Sequence, residues 1–210
     1  MDLGSARLDR IAVSAMDNDV YLITAPSGEQ LLVDAADDAE AILALLAGGG
    51  PLRTVVTTHG HWDHHRALPA VVAATGARTA AGAADAADLP VPVDVPLGHG
   101  DRLTVDAAGE VVLDVIALRG HTPGSVALAL TEGEGGESPG RVHLFTGDSL
   151  FPGGVGRTTS PEAFTSLLDD VEERLFAVYP DDTVVWPGHG EPTTLGAERP
   201  QLAQWRARGW

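Results

Sequence analysis

Apolar residues along this chain fall in short runs divided by turn chemistry. Arg10–Ala15, Val20–Ala25 and Gln30–Ala35 are separated by Asp17-Asn18-Asp19 and Pro26-Ser27-Gly28, which predicts successive antiparallel strands. Asp37 to Ala47 reads as a helix, acidic at its start and ended by Gly48-Gly49-Gly50-Pro51. Thr54-Val55-Val56-Thr57-Thr58 reads as a buried strand. A helix from Asp63 to Ala74 ending near Gly76, a short strand at Arg78–Ala80 and a connecting region follow. The second half repeats the order, with strands near Arg102–Val105, Val111–Leu118, Val126–Thr131 and Arg141–Phe145. A helix from Pro161 to Ala177 with Ser160 as its N-cap and a last strand, Thr183–Trp186, complete it. The acidic stretch from Glu132 to Gly140 reads as a solvated hairpin loop. Strands and then a helix, twice over and without a linker, predict an α/β chain of one domain over residues 1–210, with two sheets packed between helices.

Ligand-type side chains cluster where predicted strands end. His59-Gly60-His61-Trp62-Asp63-His64 puts three imidazoles and a carboxylate directly after the Thr54–Thr58 run. Strand alternation points His59 and His61 the same way, and Asp63 and His64 follow at a helix start. Imidazole and carboxylate suit a borderline divalent ion such as zinc, with iron or manganese also compatible. Gly120-His121-Thr122-Pro123-Gly124-Ser125, Thr146-Gly147-Asp148-Ser149 and Pro187-Gly188-His189-Gly190 repeat the punctuation of strand end, glycine and ligand. Loops at one edge of a sheet pair converge, so these donors are expected to hold two ions. His59, His61 and His121 would take one, Asp63, His64 and His189 the other, and Asp148 would bridge them, with a hydroxide between the ions. A mononuclear site, with the other donors in structural roles, is the alternative.

Composition narrows the partners. At 44% hydrophobic the chain buries a sizeable core, and with aromatics at 5% Leu, Val, Ile and Ala must fill it. A formal net charge of -17 without a basic cluster repels nucleic acid phosphates and argues against a nuclease. The absence of cysteine excludes disulfides, thiolate metal sites and cysteine nucleophiles. The N-terminus lacks signal-peptide regions, and no apolar run approaches the roughly 18 residues of a membrane span. A cytoplasmic protein acting on a small molecule, with no nucleic acid or membrane partner, is expected.

The ligand set resembles that of the metallo-β-lactamase superfamily: His-x-His-x-Asp-His, a lone His, a bridging Asp and a final His. "GHTPGS", "FTGDSLFPGGVGR" and "PGHG" resemble more closely the short bacterial glyoxalase II-like (hydroxyacylglutathione hydrolase-like) metallo-hydrolases, over roughly residues 10 to 200. The resemblance implies a four-layered αβ/βα sandwich, the metallo-β-lactamase fold, with the metals at one edge of its two sheets. Only a short tail follows His189, where glyoxalase II proteins carry a further helical region that helps bind glutathione, so the acyl and leaving groups stay open. The absent cysteines rule out a B1-type lactamase ligand.

The expected reaction is hydrolysis of a thioester, with Asp63 both ligand and orienter of the hydroxide. A thiolate leaves with a pKa near 8.5 and needs little protonation. Three readings compete. They are a persulfide dioxygenase with a single iron, held by His59, His61 or its neighbours, and Asp148; a lactone hydrolase on the same dimetal site; and a non-catalytic metal-binding module. Of the remaining residues, His65 is expected on the helix surface or behind the ligands, His99 at the surface, and His143 packed or facing solvent. Arg157 would anchor a loop or meet a substrate carboxylate, and Trp62 would line the pocket or pack beneath its loop. Tyr21 and Tyr179 read as core or surface, and Trp205 and Trp210 as packing the tail onto the body.

Overall fold

A computed structural model describes residues 1–209; Trp210 lies outside the described residues. The first half builds a six-stranded sheet in the order β1 (Arg7–Val13), β2 (Asn18–Thr24), β3 (Gln30–Val33), β4 (Leu52–Thr57), β5 (Arg78–Gly82) and β6 (Val95–Leu97). The first three strands are antiparallel, and β3 to β6 run parallel. Helices α1 (Ala39–Leu46) and α2 (Leu68–Thr75) make two of the parallel crossovers. The second half builds a six-stranded sheet in the order β14 (Thr193–Thr194), β13 (Val184–Pro187), β10 (Val142–Gly147), β9 (Val126–Thr131), β8 (Val112–Ala117) and β7 (Arg102–Thr104). Between β10 and β13 lie a small ribbon, β11 (Leu150–Phe151) with β12 (Gly154–Val155), and helix α3 (Pro161–Val171). Helices α4 (Leu195–Glu198) and α5 (Leu202–Arg208) follow.

Three apolar layers make this the four-layered αβ/βα sandwich that the resemblance implied. Tyr21, Ile23, Leu31 and Val33 of the first sheet meet Leu113, Val115, Leu128 and Phe145 of the second in the central layer. The alternate residues Val20, Leu22 and Leu32 pack outward with Ile42 of α1 and Leu68 and Val71 of α2. Leu144 and Val185 pack outward with Leu167, Leu168 and Val171 of α3 and with Trp205 of α5. Sheets buried on both faces need near-continuous apolar strands, which is why the strand runs stood out in the sequence. Burying a Leu or Val in such a layer contributes roughly 1.5–3 kcal/mol. Among the described residues, no helix is long and apolar enough to cross a membrane.

Several expected elements are redrawn. The helix expected over Asp63–Ala74 is two pieces, a 3₁₀ turn at Trp62–His64 and then α2, because Pro69 lacks the N–H and has no room for the carbonyl of a preceding helical turn. Gly76 ends α2 with φ of 69°, as its position predicts. Ser160 caps α3 by accepting from the Ala163 N–H, but the helix expected to Ala177 widens into a π turn over Glu172–Phe176. The connecting region contains β6, which the sequence reading missed. The Glu132–Gly140 segment is a hairpin loop, yet Glu132 itself is buried, accepting from the Ser138 N–H beside His143.

Candidate metal centre

The loops that follow β4, β8, β10 and β13 bring all seven expected donors together. Three groups of donor atoms each lie within 4.8 Å and could hold an ion: His59, His61 and His121; His59, His64 and Asp148; Asp63, His64 and His189. His59 Nε2 is 3.1 Å from His61 Nδ1, and His64 Nε2 is 3.2 Å from His189 Nε2. Donors about 2.0–2.1 Å from a shared tetrahedral ion stand at such separations, about 3.3 Å apart. Asp148 Oδ2 lies 3.7 Å from His121 Nε2 and 3.5 Å from His189 Nε2, between the two outer groups. Asp63 Oδ2 lies 3.4 Å from His189 Nε2.

The grouping does not come from strand alternation. Strand β4 ends at Thr57, and His59 and His61 converge through the bend at Gly60. Close approach is required at Gly188, where a Cβ would stand 2.3 Å from Asp148 Oδ1 and 2.7 Å from His64 Cε1.

Four of the five imidazoles are oriented by their other nitrogen. His121 Nδ1 donates to the Arg157 carbonyl at 2.6 Å and His189 Nδ1 to the Met16 carbonyl at 2.8 Å, while His64 Nδ1 pairs with Asp34 Oδ2 at 2.8 Å. His59 Nδ1 lies 3.1 Å from Thr58 Oγ1. These partners leave the Nε2 atoms of His59, His64, His121 and His189 facing the centre.

Three supporting residues escaped the sequence reading. Asp34, buried at the end of β3 with φ of 58°, accepts from the Thr58 N–H, the Thr58 hydroxyl and His64. Asn18, buried at the start of β2, donates to the carbonyl and to Oδ2 of Asp63, both at 3.0 Å. Asp85, fully buried beyond β5, accepts from the Gly60 and Gly124 N–H groups and from the Thr122 hydroxyl. A carboxylate directly after the apolar run Leu31-Leu32-Val33 was the one signal available for Asp34.

Charge in the pocket is set by burial and by neighbours. Burial holds the His59 imidazole well below its ordinary pKa, with His64 adding to the effect. Burial also opposes protonation of His64, but Asp34 and Asp148 outweigh it and push its pKa up to about 10. Burial raises Asp148, yet the neighbouring His189 and His64 hold its carboxyl well below the usual range. Asp63 is likewise held down by Asn18 and His64 against its burial.

The donors fit a cationic occupant. His121 Nε2 and Asp148 Oδ1 are buried without a hydrogen-bond partner, a condition that costs about 1–3 kcal/mol per group in the absence of an ion. The set is all nitrogen and carboxylate oxygen, which admits zinc, iron and manganese alike.

The other singled-out residues sort clearly. His65 is buried behind the donors, its Nε2 3.2 Å from the Gly60 carbonyl, and His99 is exposed. His143 is packed between Glu132 and the Trp186 indole. Trp62 neither lines the cleft nor packs beneath its loop: it is 57% exposed, with the Arg66 guanidinium 3.9 Å over its ring. Tyr21 is core and donates to the Pro187 carbonyl at 2.6 Å, steadying the loop that carries His189. Tyr179 is half-buried, Trp205 packs the tail as expected, and Trp210 falls outside the described residues. A cleft of about 440 Å³ opens over the donors, lined by His61, His121, Arg157, Thr158 and Thr159.

The chain is similar in sequence to curated proteins and in fold to solved structures. Hydroxyacylglutathione hydrolase from Fuscovulum blasticum is 40% identical over 177 residues, spanning 82% of this chain and 62% of that protein. The chain therefore covers under two thirds of the length of the curated relatives it matches. The solved structure of ETHE1 from Myxococcus xanthus superposes with a TM-score of 0.76 at 26% identity, covering 96% of this chain and 85% of that one. TTHA1623 in a di-iron-bound form gives 0.70 at 31% identity, covering 91% and 96%. The family described as the Metallo-beta-lactamase superfamily matches residues 14–189, a span that runs through both sheets and ends on His189. Fold and family match agree, and the chain belongs to the metallo-beta-lactamase superfamily.

Proposed function

We propose that this chain is a dimetal hydrolase that cleaves the thioester of a hydroxyacylglutathione-like substrate. The observation that carries the reading is the pair of donor groups joined by Asp148, in a chain 40% identical to a hydroxyacylglutathione hydrolase. His59, His61 and His121 would hold one ion, Asp63, His64 and His189 the other, and Asp148 would bridge them; zinc is the first choice. When bound, the ions supply hydroxide at neutral pH and positive charge for the developing oxyanion.

The chain's own residues do the rest. Asp63 is both ligand and orienter of the nucleophile. Asn18 Nδ2 donates to Oδ2 and holds the carboxylate beside His189, while its second bond, to the Asp63 carbonyl, holds the backbone. The Arg157 carbonyl fixes His121, while the exposed Arg157 side chain lines the cleft, where its guanidinium suits a substrate carboxylate. A thiolate leaving group needs no strong acid, and none is required of the cleft.

The test is elemental analysis of protein purified without added metal, with S-lactoylglutathione hydrolysis assayed on the same sample. Near two ions per chain with turnover is expected. Two ions without turnover would discard the glutathione thioester and favour a lactone. One iron per chain, with oxygen uptake on a persulfide and no hydrolysis, would overturn the hydrolase in favour of a dioxygenase.

A further inference from the structure

Asp85 lies outside the donor set yet touches both loops that supply one of the two ions. Its Oδ2 accepts from the Gly60 N–H at 2.8 Å and from the Thr122 hydroxyl at 2.5 Å, and its Oδ1 accepts from the Gly124 N–H at 2.6 Å. Gly60 stands between His59 and His61, and Thr122 follows His121. Both peptides around Gly60 are thereby pinned, the one after His59 by Asp85 and the one before His61 by His65, whose Nε2 lies 3.2 Å from the Gly60 carbonyl. There is no slack behind this arrangement: a Cβ at Gly124 would stand 2.4 Å from the Asp85 nitrogen, and the side chain is fully buried. The His64 side has braces of its own, although Asp34 also reaches His59 through the Thr58 hydroxyl. Asp34 holds His64 and Thr58, Asn18 holds Asp63, and the Arg10–Asp19 pair with Tyr21 holds the Pro187–Gly190 loop.

We infer that Asp85 is the positioning residue of the His59/His61/His121 ion site alone. It sets the distance between the two loops that form that site and leaves the Asp63/His64/His189 site untouched. The inference rests on the two-ion reading above. A buried carboxylate accepting three bonds fixes three donors at once, and no neutral side chain of similar size accepts all three. Outer partners of this kind typically govern metal affinity by about 10–100-fold.

The experiment is a stepwise cobalt(II) titration of the metal-free chain, followed by visible absorption of the bound ion and by calorimetry. Asp85→Asn should keep one ion at parental affinity and weaken the other by about 10-fold or more. Thr122→Val, which removes one of the three bonds and preserves shape, should weaken the same ion by less. In a His61→Ala background the Asp85→Asn substitution should leave the remaining ion unchanged. Equal weakening of both ions, or parental affinity for both in Asp85→Asn and Thr122→Val, would overturn the assignment. Uptake of one ion by the parent chain would instead overturn the two-ion reading itself, and the assignment with it.

Discussion

Arg119 grips Asp170 with three donors: Nε at 2.9 Å, Nη2 at 2.8 Å and its own backbone N–H at 2.9 Å. The pair fastens the start of the His121 loop to α3, and Arg174 adds a further contact at 3.2 Å. Burial raises the Asp170 carboxyl, but the Arg119 bonds outweigh it and hold the group below its ordinary 3.8. A depressed carboxylate contributes stability that is complete above the unfolded value and is lost as pH falls through the folded one. In metal-free protein, Asp170→Asn should therefore be destabilising at neutral pH, by about 1 kcal/mol once the 58% exposure of the Arg119 side chain is allowed for. The gap should narrow below the ordinary value. Urea unfolding of both chains at neutral pH and at a pH below 3.8 checks this; a gap that stays constant there would deny its ionic origin.

Gly188→Ala should damage the centre without touching a donor. Its new methyl would stand 2.3 Å from Asp148 Oδ1. Overpacking of this kind costs about 1–3 kcal/mol. The displaced carboxylate should lower bound metal and, with it, turnover. Elemental analysis beside a thermal melt separates the two effects, and full metal content would refute the clash.

Asp148→Asn keeps the shape of the proposed bridging side chain and removes its charge. Asp148 lies near donors of both ions, so stoichiometry should fall below two and hydrolysis by at least about 100-fold. Retention of two ions with parental affinity would show that Asp148 does not join the sites.

Arg157→Ala tests the cleft. The side chain is exposed, so folding should be unaffected. An anionic substrate should show KM raised about tenfold, the equivalent of 1.4 kcal/mol, with kcat little changed. Arg157→Lys should recover part of it. An unaltered KM would remove the side chain from substrate binding.

The candidate donor segments were legible because each follows an apolar strand and carries glycine, a local pattern that survives in one sequence. What braces them was not. Asp34 meets Thr58 and His64, and Asp85 meets Thr122 and Gly124. Both pairings are set by sheet topology, and nothing in the flanking residues announces them. Strand β6 escaped because Val95-Pro96-Leu97 is short and interrupted by proline, which a strand tolerates at a sheet edge, where β6 lies. The expected Asp63–Ala74 helix overran because the histidine run and the apolar run of α2 share a helical rhythm that Pro69 breaks.

The order of assembly during folding follows from where the donors sit. Positions 59 to 64 close one sheet and positions 121, 148 and 189 belong to the other. A half-folded chain with a single sheet can present no complete donor group with His121 or His189 in it. Completing either donor group therefore requires the two halves to have docked, and the long sequence separation adds to the entropic cost of that docking. Once captured, an ion binds the native chain in preference to the unfolded one and slows the reverse journey, so chelation should show first as faster unfolding.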